Sequence, residues 1–223
     1  RVRLLPERPR ALPEALTAIR EADVLLLGPG SLYTSIIPNL LVDGIVEAIQ
    51  ASRALKVYVA NIMTQEGETE DYTLSDHIQA LFQHGAPGLF DLCLTNASPI
   101  PRDVAARYAA EGAAPLVCDE DACAALGVEV VRRPIAKVEE GYVRHHSSAL
   151  ARELILLHAE RSVRIAGSRA DYRSDRYRME QRCNRCRRHG SFWQPAIQRE
   201  NRRFDTKTEE GRNKYQLQCF FMP

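Results

Sequence analysis

The chain has 223 residues, with 30 Lys and Arg against 29 Asp and Glu and a formal net charge of +1, which is length enough for one domain with a sizeable core and an appendage. The charge is unevenly spread: residues 1–160 carry 14 basic against 22 acidic side chains, net −8, and residues 161–223 carry 16 against 7, net +9. An acidic body argues against nucleic acid as its main partner, no apolar stretch of 18 residues exists to span a membrane, and the opening RVRLLPERPR lacks the apolar core of a signal peptide.

Pro13 to Ala22 reads as a helix with Leu16 and Ile19 inward, leading into an apolar run of strand length, Asp23 to Leu27. Gly28-Pro29-Gly30-Ser31 is a turn that presents backbone N–H groups. Ile36, Leu40, Ile45 and Ile49 then recur along one face and predict a single helix over Ser35–Ala51. A glycine turn joining a strand end to a helix start is a natural anion cradle. Orphan N–H groups and the positive end of the helix dipole point to one place, and small residues let a phosphate approach. Ser31, Thr34 and Ser35 add hydroxyls, and no carboxylate lies between Asp23 and Asp43 in the sequence. The alternative is a tight turn with polar filler.

Leu55 to Ala60 is a second strand. Asn61 to Tyr72, with Gly67 and four carboxylates, reads as a loop, and Thr73 to His84 as a helix opened by Thr73 or Ser75. Asp91 to Thr95 is a third strand. Pro101 to Ala110 is a helix with proline in its first turn. Leu116–Cys118 and Val128–Val131 read as short strands flanking a helix around Asp121–Leu126. This alternation predicts an α/β fold: a mainly parallel sheet with helices on both faces. Ligands of such sheets sit outside the strand carboxyl ends, where Gly28, Asn61 and Asn96 fall.

Beyond Glu160 the aliphatic residues nearly vanish and no period survives, so residues 161–223 are expected to be a disordered basic tail. Its Cys183 and Cys186 with His189 lack the second ligand pair that zinc needs, Cys219 being far off. Charge alone would give the tail at most non-specific attraction to RNA or anionic lipid, with Phe192 and Trp193 as its aromatic pair. The six cysteines show no framework spacing, so reduced thiols in the cytoplasm are expected.

Four blocks resemble one family: GPGSLYTSIIPNLL after the first strand, NIMTQEGETEDYTLSDHIQAL from Asn61, FDLCLTNASPIPRDVAARYAAEG from Phe90, and VRHHSSALARELILL from Val143. Together they resemble the bacterial gluconeogenesis-factor family, itself similar to 2-phospho-L-lactate transferase (CofD-like proteins). The resemblance covers about residues 1–160. It implies a Rossmann-like domain binding a UDP-sugar, UDP-N-acetylglucosamine, with a role in cell shape and central carbon use. It also implies that the chain is a C-terminal portion, since family members open on a further Gly-rich loop. With half the pocket outside the chain, weak or no UDP-sugar binding is expected.

The expected ligand-binding set is Gly28, Pro29, Gly30, Ser31, Thr34, Ser35, Asn61, Thr64 and Arg144, with no catalytic residue, no metal site and no required cofactor. Asn61 and Thr64 follow the second strand, where they either bond a sugar, base or phosphate or close an Asx-type turn. Arg144 offers a planar fork suited to a diphosphate, or pairs on the surface with Glu139 or Glu140. The resemblance favours ligand contact, although His146 stands where the family has Asp. Asp76 and His77 form a carboxylate–imidazole pair, but Asp76 suits a helix first turn and His77 reads as structural. The rival to a binding protein is the transferase, moving a phospholactyl group from a guanylyl donor to a deazaflavin acceptor with a divalent metal. Homo-oligomerisation is left open.

Overall fold

A computed structural model describes residues 2–166. Residues up to Leu150 form one compact unit, and the chain passes into a second at Ala151. The CxxC pair and the rest of the basic segment from 167 lie outside the described residues.

The first unit contains α1 (Pro13–Glu21), β1 (Val24–Leu27), a π-helical turn (Leu32–Ile36), α2 (Ile37–Leu40), α3 (Ile45–Ala51) and β2 (Leu55–Val59). Then follow α4 (Leu74–His84), β3 (Leu92–Asn96), α5 (Arg102–Ala110), α6 (Glu120–Ala125), β4 (Glu129–Arg133) and an antiparallel hairpin, β5 (Ala136–Glu139) with β6 (Tyr142–His145). Helix α7 (Ser147–Ala166) starts in this unit and runs past the boundary expected at 160. The main sheet has the order β1-β2-β3-β4 with every pair parallel, the expected α/β fold. No described helix is long and apolar enough to cross a membrane.

Strand and helix types follow from burial. Leu25, Leu27, Tyr58 and Cys93 lie on one face and join Ile19, Ile45, Ile49, Ile78, Leu81 and Cys123 from the helices in a single cluster. The alternate residues, Val24, Leu26, Val57, Val59, Leu92 and Leu94, are buried as well. Strands covered on both faces read as unbroken apolar runs rather than alternation, as VLLL does. Each fully buried Leu or Ile contributes about 1.5–3 kcal/mol of transfer free energy, so the sheet's two faces dominate the stability of this unit.

Three local readings are corrected. The single helix expected over Ser35–Ala51 is a π turn plus two α-helices, broken at Leu41–Gly44. Asp43 is the cause: its N–H donates to Pro9 O at 2.9 Å, its carbonyl accepts from Ala11 N at 3.1 Å, and Gly44 follows at φ +96°. Leu116–Cys118 is no sheet strand. It straps two loops instead, with Leu116 N on Ile62 O at 3.0 Å and Val117 O accepting from Leu74 N at 2.8 Å. Pro101 stands at the N-cap of α5, one residue before the first turn. The hairpin was absent from the sequence reading altogether. Its two-residue turn needs positive φ at both positions, met by Glu140 at +52° and Gly141 at +78°.

Candidate functional site

Parallel strands bring their carboxyl ends to one edge, which places Gly28, Asn61 and Asn96 together as the sequence predicts. Gly28 has φ +86°, and a Cβ there would lie 2.8 Å from Val59 O, so the turn is pressed against the end of β2. Gly30 is also tight: a Cβ would meet Ser35 Cβ at 3.1 Å. Ser31 O accepts from Ser35 N at 2.9 Å and Ile36 N at 3.1 Å, closing the π turn. Among the described residues the amides of Gly30, Ser31, Leu32 and Thr34 meet no protein acceptor. Thr34 and Ser35 are exposed.

The Tyr33 amide is taken. Glu68 Oε1 accepts from it at 2.6 Å. The sequence is free of carboxylates between Asp23 and Asp43, but folding brings one in from the Asn61–Tyr72 loop. That loop is built to present it: Glu68 N and Thr69 N donate to Gln65 O at 3.2 and 2.9 Å, and Thr69 Oγ1 accepts from Gln65 N at 3.0 Å. Tyr33 and Tyr72 share a hydroxyl hydrogen bond of 2.8 Å. Burial, that bond and the nearby Glu68 push the Tyr33 phenol up to about 12. Tyr33 also walls a cleft of about 800 Å³ with Arg3, Arg8, Gln83 and His84, a volume in the range of small-molecule sites.

The remaining predicted residues divide. Asn61 is half-buried just beyond β2, and no described residue hydrogen-bonds its amide head. Thr64 is buried, and its hydroxyl accepts from Ala114 N at 2.9 Å while its own N–H donates to Ala114 O at 2.8 Å. Arg144 stands exposed with its guanidinium 5.6 Å from the Tyr142 ring centroid. Glu139 pairs with Lys137 at 2.8 Å, and that bond and the Lys137 charge, with a smaller pull from Arg144, lower its carboxyl. The period of two in β6 puts Arg144 on the Tyr142 face and His145 on the opposite one. His145 Nε2 donates to Ala60 O at 3.1 Å, so the hairpin face that meets the strand ends is the one carrying His145 and the buried Val143. Burial pulls the His145 imidazole below its ordinary value.

His146, which stands where the resemblance expects Asp, caps the first turn of α7: its Nδ1 accepts from Ala149 N at 3.4 Å and Ser148 Oγ at 3.2 Å. Asp76 closes a capping box with Thr73, as its position in the first turn suggests. His77 is fully buried and bonded to Tyr58 OH at 3.0 Å, in keeping with a structural role. Among the described residues no three His, Cys, Asp or Glu side chains gather as metal ligands.

Asn96 holds the hairpin to the sheet. Its Oδ1 accepts from Ser98 N at 3.0 Å, Ile135 N at 3.3 Å and Ala136 N at 3.1 Å, and its Nδ2 donates to Ser98 O at 2.8 Å. Asn96→Ala strands three amides at once, so it is expected to cost about 2 kcal/mol. Urea denaturation checks this, and a loss below about 0.5 kcal/mol would mean that water replaces the side chain.

A model of the family described as 2-phospho-L-lactate transferase CofD matches residues 1–136. The chain is 46% identical over 155 residues to a gluconeogenesis factor of Halalkalibacterium halodurans, covering 70% of this chain and 48% of that protein. It is 44% identical over 155 residues to the gluconeogenesis factor of Bacillus subtilis, covering 70% and 49%. A crystal structure of a Bacillus halodurans protein superposes with a TM-score of 0.67 at 46% identity, covering 70% of this chain and 50% of that one. The chain thus spans about half the length of the relatives it matches.

Proposed function

Because the chain belongs to the 2-phospho-L-lactate transferase CofD family, we propose that it is a gluconeogenesis-factor-type protein that binds a UDP-sugar, UDP-N-acetylglucosamine, without turning it over. The role proposed with it is control of carbon use, which the relatives' name gluconeogenesis factor supports, together with cell shape, in a cytoplasm that keeps Cys93, Cys118 and Cys123 free. The observation that carries the reading is the turn after β1, where the amides of Gly30, Ser31, Leu32 and Thr34 are left without an acceptor among the described residues, beside Gly28, which has no room for a Cβ, and Gly30, which has little. The diphosphate sits on Gly28, Pro29, Gly30 and Ser31, with the hydroxyls of Thr34 and Ser35 at its rim. Asn61 reaches the sugar or base, and Thr64, whose hydroxyl hydrogen remains to be given, fixes the loop that carries it. Arg144 reaches the ligand only by leaving the Tyr142 ring, so its contribution is the weakest of the set.

With about half of the relatives' length matched, the chain alone is expected to bind with a dissociation constant of about 1 mM or weaker. Titrating UDP-N-acetylglucosamine into isotope-labelled protein should shift the amides of Gly30, Ser31, Leu32 and Thr34, and Gly30→Asp should erase those shifts. Micromolar affinity by calorimetry contradicts the weak-binding expectation. Unmoved amides, or equal shifts from N-acetylglucosamine alone, overturn the diphosphate seat. The family description keeps a second reading in play: phospholactyl transfer from a guanylyl donor to a deazaflavin acceptor. GMP released from donor and acceptor would establish transfer.

A further inference from the structure

One carboxylate stands inside the glycine turn's row of amides. From Gly30 to Thr34 the N–H groups meet no described acceptor except at Tyr33, which donates to Glu68 Oε1 at 2.6 Å. The turn Leu32–Ile36 passes directly into α2. The N–H groups of a helix's first turn point to one side, so Leu32 and Thr34 present theirs on either flank of that carboxylate. Glu68 is half-buried, and no described Lys, Arg or His forms an ion pair with it.

The loop that carries Glu68 holds its shape without this contact. Gln65 O accepts from Glu68 N and Thr69 N, Gln65 N donates to Thr69 Oγ1, and Thr69 is fully buried. Thr64 ties the start of the loop to Ala114 through its N–H and its hydroxyl. Glu70 spends its carboxylate inside the loop, accepting from Gly67 N at 2.7 Å. Glu68 instead crosses 35 positions to the turn. Its charge is therefore placed at the amides by a loop that is already folded.

Given the diphosphate seat proposed for this turn, we propose that Glu68 is its specificity-determining residue. The carboxylate stays on the Tyr33 amide and limits the charge a ligand can bring. It favours a diphosphate esterified at both ends over one with a free terminal phosphate. Consecutive Cα atoms are about 3.8 Å apart, so a phosphate on the Ser31 and Leu32 amides stands within about 8 Å of Glu68. Salt at physiological strength screens charges only beyond about 8 Å. A free-ended diphosphate carries about one more negative charge near pH 7. One extra unit charge at that range weakens binding about three- to tenfold, for an effective dielectric between those of water and a protein surface.

The test titrates the isotope-labelled full chain with UDP-N-acetylglucosamine and with UDP at fixed pH and ionic strength, and takes the ratio of the two dissociation constants from the amide shifts. Glu68→Gln keeps an oxygen for the Tyr33 amide and removes the charge, so the ratio should move about three- to tenfold towards UDP. Glu70→Gln removes the same charge from the same loop, farther from the amides, and should leave the ratio within about twofold. If Glu68→Gln does not fold, Glu68→Ala reads the same ratio, because a loosened turn weakens both ligands alike. Amides of the seat that move while the ratio stays fixed in the Glu68 variant overturn the role of Glu68 and leave the seat standing. An equal change in Glu70→Gln overturns it too, in favour of the general field of the acidic loop. Amides that stay still with both ligands in every chain remove the seat, and the role of Glu68 with it.

Discussion

Gly28→Ala is expected to cost about 3 kcal/mol or more of folding stability. Two effects add. An L-residue at φ +86° is strained by about 1–2 kcal/mol. The new Cβ would also stand 2.8 Å from the backbone carbonyl of Val59, a clash that β2 relieves only by giving up its own ladder, at about 1–3 kcal/mol. Gly67→Ala separates the two: φ is +70° there but nothing lies within 4 Å, so only the strain applies and about 1 kcal/mol is expected. Urea denaturation of both variants at pH 7 reads the difference. Equal losses would mean that the approach of the turn to β2 is looser than the structure has it, and the close fit of the glycine turn would no longer account for its sequence.

Chemistry carried by neighbours in sequence was legible; chemistry assembled across loops was not. The parallel sheet could be read because each strand is a short apolar run followed by a helical period, and those signals are local. The break at Leu41–Gly44 had a local signal that was overlooked. Leu40 to Ile45 is a step of five, which a 3.6-residue period does not allow on one face. The hairpin had one too, a glycine between two alternating runs. Glu68 is different in kind. Its arrival at the Tyr33 amide spans 35 positions and depends on how the Gln65–Thr69 turn folds, so a scan for carboxylates near the glycine turn had no means of finding it. Arg144 and His145 show a third case. Adjacent residues with equal credentials are sorted by strand parity, and parity was unreadable while β6 was unrecognised.

Stability is expected to fall by about 3 kcal/mol as the pH drops from 6.5 to 4, with His77 as the main cause. Burial pulls its imidazole down to about 4 from an ordinary 6.5, against a smaller upward pull from Asp76. The ring is fully buried, with Nδ1 on Tyr58 OH and Nε2 without a partner among the described residues. A depressed histidine disfavours the proton in the folded state. Above about 6.5 neither state binds it and stability is full; between 6.5 and 4 the unfolded chain takes up a proton that the folded chain refuses, so stability declines; below about 4 both are charged and the term is flat. Each pH unit in that window is about 1.4 kcal/mol. His145, lowered by its own burial, adds in the same direction. His77→Phe removes the titration but leaves Tyr58 OH unpaired, at about 1–2 kcal/mol. Tyr58→Phe in the same chain removes that second cost, since an apolar pair of similar shape needs no hydrogen bond. Denaturant midpoints between pH 4 and 7 should therefore flatten in both variants and recover at pH 7 only in the double one. A double variant that keeps the full acid slope would move the cause from the imidazole to the carboxylates.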